Sequence, residues 1–200
     1  MKQLLIIGAS GHGKVVADIA ELNGYDSILF FDDNDRLKKC GKYPVVGKSL
    51  DISGYDGDVI VAIGNAKIRE QLLENLSDRN VPILIHPNAT IATTVKIDRG
   101  TVVMAGAVIN ADAVIGKGVI INTCSSVDHD CIIDNYSHIS VGAHVAGTVY
   151  VGNRTWIGAG ATISNNINIC SDCMIGAGAV VIRNINESGT YVGVSVRKIK

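Results

Sequence analysis

Aromatic side chains are scarce in this sequence, and so is charge of either sign. The 200 residues include two Phe and one Trp, although 47% of them are hydrophobic, so aliphatic side chains must build any core. The formal net charge is -1 and the charged residues are spread along the chain. This balance gives no basic surface for nucleic acid or for an anionic membrane, and we expect neither as a partner.

Long hydrophobic runs are also missing. The apolar run at residues 4–7 ends in a glycine-rich turn and is too short for a secretion signal or a membrane span. We therefore expect a cytoplasmic protein with no membrane insertion. Cysteine is present but not paired: the five residues, at 40, 124, 131, 170 and 173, fit a reducing compartment better than a disulfide framework. Cys170 and Cys173 have the spacing of half a zinc site, but no second pair accompanies them, and we expect no metal.

What the sequence does have is a period of six. Every sixth position from Ile85 to Val181 is Ile or Val, and a small or modest side chain stands two residues before most of them. This hexapeptide repeat is typical of a parallel β-helix, in which each hexad forms a short strand and a corner, and three hexads form one rung. We expect the glycines one residue after the aliphatic position, Gly116, Gly152, Gly158 and Gly176, to supply backbone freedom at corners.

The part of the chain before the repeat has a different pattern. Strands alternate with amphipathic helices, which indicates a small parallel sheet covered on both faces. The predicted strands span residues 2–7, 27–31, 59–63 and 82–85, and the predicted helices span 14–22 and 68–76. The sequence therefore predicts two domains, a Rossmann-like domain at 1–82 and a β-helix at 83–200.

Ligands of parallel sheets bind at the carboxyl ends of the strands. In this chain those ends carry Ser10, Gly11, His12, Asp32, Asp33 and Gly64. Glycines 8, 11 and 13 do not have the order of a dinucleotide fingerprint. A glycine turn before a helix still favours a phosphate or pyrophosphate, and the acidic pair is suited to ribose hydroxyls or base N–H groups. The residues thus indicate a nucleotide, as cofactor or as part of a substrate; a purely structural turn is the alternative.

Four segments together resemble a known family. Residues 8–16, the strand ends at 31–33 and 62–65, and the stretch 122–147 are similar to the bacterial sugar O-acyltransferase family of sialic-acid O-acetyltransferases. The likeness is greatest to the nucleotide-linked 4-amino-sugar N-acetyltransferases. It implies a Rossmann-like domain that holds a UDP- or dTDP-sugar, followed by a left-handed β-helix that forms a homotrimer and binds acetyl-CoA at subunit clefts.

The resemblance also implies roles for individual residues. The catalytic base would be His129, with Asp130 as its acidic neighbour. Sugar-nucleotide contacts would fall on Ser10, Gly11, His12, Asp32, Asp33 and Gly64, and acetyl-CoA contacts on His138, Ala159 and Ala177. One departure lies near the end of the chain, where Ser195 replaces the proline of the family's closing motif.

The chemistry of the residues agrees with these roles. A sugar ammonium must lose a proton before it attacks a thioester, and a neutral imidazole is suited to take that proton near pH 7. Asp130 would hold the ring in one tautomer and stabilise the imidazolium. Direct attack needs no covalent intermediate, so a serine or cysteine nucleophile is not required.

Three alternatives remain. The same base would serve O-acetylation of a sialic acid or another sugar. A zinc-dependent β-helix hydratase of the carbonic-anhydrase kind would use histidines among His86, His129, His138 and His144, although their spacing does not resemble that enzyme's ligand set. A nicotinamide-binding sensor is disfavoured by the order of the glycines.

Overall fold

A computed structural model describes residues 2–199. The chain divides into two compact units, Met1–Pro87 and Asn88–Lys200. The boundary predicted from sequence falls at 82/83, and the terminal residues of the two predicted domains, 1 and 200, lie outside the described residues. No helix in the described part of the chain is long and apolar enough to cross a membrane.

The first unit is a parallel sheet with two helices. Its elements are β1 (Gln3–Ile7), α1 (Gly11–Leu22), β2 (Ser27–Phe31), β3 (Lys39–Cys40), β4 (Tyr43–Gly47), a 3₁₀ helix (Ser49–Gly54), β5 (Asp58–Val61), α2 (Ala66–Glu74) and β6 (Leu84–Ile85). The sheet order is β3-β4-β2-β1-β5. β4, β2, β1 and β5 run parallel, and β3 pairs with β4 in an antiparallel hairpin at the edge.

The central strands form because they are continuous apolar runs, as strands buried on both faces require. Leu4, Leu5 and Ile6 of β1 are fully buried, as is Phe30 of β2. α1 begins at Gly11, so the predicted glycine turn supplies the first helical turn as well. The edge hairpin β3-β4 was not predicted.

The second unit is a stack of strands of two or three residues separated by corners. In chain order they are β7 (Thr90–Ile91), β8 (Lys96–Ile97), β9 (Val102–Val103), β10 (Val108–Ile109), β11 (Val114–Ile115), β12 (Ile120–Ile121), β13 (Ser126–Val127), β14 (Ile132–Ile133), β15 (His138–Ile139), β16 (His144–Val145), β17 (Tyr150–Val151), β18 (Trp156–Ile157), β19 (Thr162–Ile163), β20 (Asn168–Ile169), β21 (Cys173–Ile175) and β22 (Val180–Val181). The chain closes with β23 (Gly189–Val192) and β24 (Arg197–Lys198).

These strands form three parallel faces. The first face holds β7, β10, β13, β16, β19 and β22; the second holds β8, β11, β14, β17 and β20; the third includes β9, β12, β15, β18, β21 and β23, with β24 antiparallel at its end. Val108 pairs with Ser126, and Ser126 with His144, so each rung takes three hexads. The predicted fold class, a small parallel-sheet domain followed by a left-handed parallel β-helix of hexapeptide repeats, is confirmed.

The periodic aliphatic residues fill the inside of the coil. From Val103 to Val181 each of them is at most 1% exposed. The small residues two positions earlier are also buried, and the hydroxyls of Thr101, Ser137 and Thr155 bond to a corner carbonyl of the following rung. Ser137 Oγ donates to Gly152 O at 2.8 Å, and Thr155 Oγ1 to Cys170 O at 2.9 Å. A buried hydroxyl is costly unless it is bonded in this way, so the corner carbonyls stabilise the polar members of this column.

The corners correct one prediction. Left-handed φ values of +54° to +72° recur at every sixth position from Gly100 to Gly178, the third position after each aliphatic one, and many of these residues are not glycine. The glycines predicted to supply freedom meet another requirement, because the next rung touches them. A Cβ at Gly152 would lie 2.5 Å from Ser171 N, and one at Gly158 2.5 Å from Ile175 O. The expected backbone freedom at these glycines was wrong; the rungs need the missing side chain.

Candidate active site

Three loops meet at the carboxyl edge of the first unit's sheet. They follow β1, β2 and β5, which are neighbours in the sheet and run parallel. The loops and the first turn of α1 carry all the residues that the sequence assigned to a nucleotide sugar: Ser10, Gly11, His12, Asp32, Asp33 and Gly64. Ser10 is the N-cap of α1, so the amino end of that helix points at the same edge.

The glycines at this edge are of two kinds. Gly8 has φ of +110°, and a Cβ there would lie 2.7 Å from Ala62 O, so the packing of two loops requires it. Gly11 and Gly64 have no such constraint, because a Cβ at either would meet nothing within 4 Å. The missing side chains at these two positions leave open space at the carboxyl edge.

The acidic pair after β2 is already engaged within the chain. Asp32 accepts the backbone N–H of Ala9 at 2.8 Å and that of Asn34 at 2.9 Å. Asp33 accepts the backbone N–H of Ser49 at 2.9 Å and its hydroxyl at 2.8 Å, and these two bonds hold the pKa of Asp33 below its usual value. Both carboxylates therefore fix loops around the edge.

His12 is uncharged at neutral pH. Burial, and next the positive charge of Arg69, lower its pKa to about 4. Its Nε2 atom is buried and has no hydrogen-bond partner among residues 2–199. A neutral imidazole with one unused nitrogen is suited to a ligand atom at this edge, as donor or as acceptor.

A second cluster, formed by His129 and Asp130, lies at a corner of the β-helix. This corner connects β13 of the first face to β14 of the second. His129 Nδ1 lies 2.7 Å from Asp130 Oδ2, and both side chains are 57% exposed. Asp130 has φ of +57°, the left-handed conformation that aspartate tolerates better than most residues.

The surroundings of His129 set its charge and its place. The hydrogen bond to Asp130 is the largest cause that raises the pKa of His129, and the negative charges of Asp128 and Asp130 act in the same direction. With Nδ1 bonded to a carboxylate, Nε2 is the nitrogen left to act as a base. A Cβ at Gly147, one rung on, would lie 2.5 Å from that Nε2, so the ring occupies space that only glycine leaves.

A third feature is an apolar groove of about 390 Å³ on the third face and the corner that follows it. His138, Trp156 and Met174 form one column of this groove, each paired with the next across successive rungs. The groove also includes Ala159 and Ala177, so the three residues assigned to acetyl-CoA lie around one space.

The polar wall of the groove is tightly ordered. His138 is 9% exposed, its Nε2 lies 3.0 Å from the side-chain amide of Asn122, and its ring lies 4.8 Å from that of Trp156. Trp156 Nε1 donates to Ser140 Oγ at 2.5 Å. The sequence reasoning missed Trp156 and Ser140. The period of three hexads would have found Trp156, because it is the outward residue one rung after His138.

His129 and the groove lie at different corners of one chain. The groove reaches the corner between the third and first faces, whereas His129 follows the first face at the next corner. The width of the first face therefore separates them within a single β-helix.

The possible metal ligands do not converge. No three His, Cys, Asp or Glu side chains between residues 2 and 199 are grouped as a metal site would require. Cys170 Sγ lies 3.5 Å from Cys173 Sγ, and both are free thiols. Burial, and next the Cys170 thiol, raise the pKa of Cys173 to about 12, so Cys173 is protonated and fills a corner of the coil.

Comparison with known proteins places both units. Residues 3–76 match the PglD N-terminal domain, and residues 148–183 match the bacterial transferase hexapeptide repeat. The chain is 35% identical over 113 residues to the UDP-N-acetylbacillosamine N-acetyltransferase of Bacillus subtilis. That match covers 52% of this chain and 52% of the Bacillus enzyme.

Solved structures resemble the whole chain. The acetyltransferase domain of PglB from Neisseria gonorrhoeae, in complex with acetyl coenzyme A, has a TM-score of 0.96 and 40% identity over 99% of both chains. PerB from Caulobacter crescentus, in complex with CoA and GDP-perosamine, has a TM-score of 0.94 and 32% identity, covering 100% of this chain and 98% of PerB.

The fold and the comparisons define a class, the hexapeptide-repeat acyltransferases that carry an amino-terminal parallel-sheet domain. Within that class, the chain is similar to the PglB domain and to PerB over nearly the full length of both. The chain belongs to the PglD-like nucleotide-sugar N-acetyltransferases.

Proposed function

We propose that this protein transfers the acetyl group of acetyl-CoA to the 4-amino group of a UDP- or dTDP-linked 4-amino-4,6-dideoxy sugar, for bacterial glycan synthesis. The observation that carries this proposal is the His129–Asp130 pair, with Nδ1 and Oδ2 2.7 Å apart. The hexapeptide pattern neither needs nor explains such a pair at a corner.

His129 acts as the general base in this reaction. Its Nε2 takes a proton from the sugar ammonium, and the amine nitrogen then attacks the carbonyl carbon of the thioester. The new C–N bond forms and the C–S bond breaks. The nitrogen gives up its second proton and the departing CoA thiolate takes one up, so the products are the amide, the CoA thiol and protonated His129. Asp130 holds Nδ1–H and stabilises the imidazolium that forms.

The apolar groove is the proposed acetyl-CoA site. A pantetheine arm presents methylene groups and two amides, and the groove offers the side chains of Met174, Ala159 and Ala177 with the ordered polar wall at His138. In relatives, CoA or acetyl-CoA occurs in the solved complexes.

A homotrimer would bring the two corners together. Because the first face separates His129 from the groove within one chain, three-fold symmetry would set the base of one subunit beside the groove of its neighbour. The nucleotide sugar is assigned to the carboxyl edge of the first unit, where Gly11 and Gly64 leave open space. The free thiols of all five cysteines agree with a cytoplasmic enzyme.

The test is an assay for free CoA thiol with a panel of acceptors. The panel holds UDP-, dTDP- and GDP-linked 4-amino sugars, CMP-sialic acid and free sialic acid, each with wild type and His129→Ala. We expect rapid release with one amino sugar, lowered by about two orders of magnitude in the variant. Acetyl-CoA binding, measured by calorimetry, should survive in His129→Ala.

Two results would overturn parts of the proposal. Release with a sialic acid alone would identify an O-acetyltransferase. Unchanged turnover in His129→Ala would remove this histidine from the mechanism.

A further inference from the structure

A buried arginine lies behind the carboxyl edge of the first unit's sheet. Arg69 of α2 is only 1% exposed, and it is not among the residues that the sequence predicted for the site. Charged side chains are almost never buried to this degree unless their groups are engaged. Arg69 Nη1 donates to Ile63 O at 2.8 Å and to Gly64 O at 2.9 Å. The guanidinium therefore fixes the loop between β5 and α2.

The same charge acts on a second loop. Arg69 is the charged group whose proximity lowers the pKa of His12, after the larger effect of burial. The other charged or titratable groups around the turn are Asp32, which accepts Ala9 N–H, Cys40, whose thiol lies 3.6 Å from Ser10 O, and Lys14 on α1. Arg69 is thus hydrogen-bonded to the Gly64 loop, and its positive charge also acts on His12.

We infer that Arg69 is a positioning residue of the nucleotide-sugar site, which holds the loop after β5 in place from behind. This inference rests on the proposed function. It assigns Arg69 no contact with the ligand. Its guanidinium holds Gly64 where a side chain is missing, and its charge adds to the larger effect of burial that lowers the pKa of His12.

The arrangement suits an anionic, sugar-linked diphosphate. A buried cation gives a positive potential at the edge that salt screens only weakly. A neutral His12 then offers Nε2 as a hydrogen-bonding group whose state does not change between about pH 5.5 and pH 8, since its pKa is about 4. Binding should therefore stay constant over that range as far as His12 is concerned.

Two variants separate the effect of the Arg69 charge from the effect of its hydrogen bonds to the loop. Arg69→Met removes the charge and both hydrogen bonds but keeps the approximate length of the side chain. Arg69→Lys keeps the charge but loses the guanidinium group that donates to both carbonyls. Arg79→Met is the matched control, because Arg79 also donates to backbone carbonyls, at Tyr55 and Gly57, but before β5 at the opposite edge of the sheet.

We expect Arg69→Met to raise the KM for the nucleotide sugar about tenfold or more, the effect of losing one or two charge-assisted hydrogen bonds. kcat and the Kd for acetyl-CoA should change less than about threefold. In a ¹⁵N-imidazole NMR titration, His12 should titrate closer to pH 6.5 in Arg69→Met and remain low in Arg69→Lys and Arg79→Met.

A folded Arg69→Met variant with an unchanged KM and unchanged titration of His12 would overturn the inference. If Arg69→Met does not fold, Arg69→Lys is the deciding variant. It should raise the KM for the nucleotide sugar while His12 stays neutral, and an unchanged KM would refute the positioning of the loop by the hydrogen bonds of Arg69. A wild type that acetylates no nucleotide sugar would refute the proposed function instead, and the NMR titration would still decide whether Arg69 controls His12.

Discussion

The charge of His129 depends on its immediate neighbour in the sequence. The hydrogen bond to Asp130 raises the pKa of the imidazole above its usual 6.5, so more of it is protonated at neutral pH than in an isolated histidine. Only the neutral form accepts a proton. kcat/KM should therefore rise with pH through the raised pKa and level off above it.

Asp130→Asn should move that rise to lower pH. The loss of the carboxylate removes the largest cause of the raised pKa, and it also removes the group that fixes the tautomer, so the plateau should fall by about tenfold or more. The measurement is kcat/KM between pH 5 and pH 9 with saturating acetyl-CoA.

The matched control is Asp112→Asn, one rung earlier at the same corner. Asp112 has φ of +61°, against +57° for Asp130, and Asn accepts this conformation as readily as Asp. This variant should leave the profile unchanged. An Asp130→Asn profile that coincides with wild type would show that the carboxylate does not set the pKa of the base.

Some site residues could be found from the sequence and others could not. His129 and Asp130 are adjacent in the chain, so their pairing needs only a corner that turns both outward. The hydrogen bonds of Arg69 to the loop after β5 depend on how α2 packs against β5. No local sequence pattern shows that an arginine of a helix will be 1% exposed. Gly147 is equally hidden, because its role is visible only when the rung before it places His129 against it.

Among the elements, the corners of the β-helix carry two distinct steric requirements. Where the residue after the aliphatic position is glycine, as at Gly152 and Gly158, the next rung approaches it too closely for a side chain. The residue two further on has a left-handed backbone, which few residue types other than Gly, Asn and Asp adopt readily, and at Gly178 there is open space around its missing Cβ.

Gly152→Ala should therefore destabilise the coil by about 1–3 kcal/mol, the cost of overpacking a rigid site. Its Cβ would lie 2.5 Å from Ser171 N and 2.7 Å from Cys170 C, both main-chain atoms that cannot move aside. Chemical denaturation followed by circular dichroism measures the difference in the free energy of unfolding.

Gly178→Asn is the comparison variant. Asn166 already adopts the same conformation, at φ of +60° against +65° for Gly178, so this change should cost less than about 1 kcal/mol. Equal losses in Gly152→Ala and Gly178→Asn would refute the distinction between the two corner positions.

The period of six made the β-helix predictable over its whole length, because one branched side chain per hexad must point inward. The strands and helices of the first unit were harder to predict from the sequence. The hairpin of β3 and β4 was missed because its strands are short and include Pro44 and Gly47, which weaken any strand pattern. The start of α1 at Gly11 was missed because glycine is a poor helix former in the interior, but it is tolerated in the first turn.

For the molecule as a whole, the central question is how one chain completes an active site. The proposed base lies at the corner after the first face and the proposed acetyl-CoA groove at the corner before it. If a cyclic trimer joins them, each site takes His129 from one subunit and the groove from another. Two inactive variants with different defects should then complement each other.

The variants are His129→Ala, which keeps the groove, and Ala177→Trp, which fills it. Each homotrimer should be inactive, and sedimentation should give about three times the 21.0 kDa of one chain for both. Every mixed trimer contains one interface with an intact base and an intact groove. Random assembly of equal amounts makes about three quarters of the trimers mixed, so about one quarter of all sites should work.

Co-refolded mixtures should thus regain about a quarter of the wild-type release of CoA, whereas the same proteins mixed after folding should not. This contrast separates exchange of subunits from a trace of wild-type enzyme, which would contribute equally in both experiments. A site built within one chain predicts no recovery, because every subunit in the mixture lacks either its base or its groove. Recovery would therefore establish that the catalytic unit is the interface between copies, and its absence would return both groups to a single β-helix.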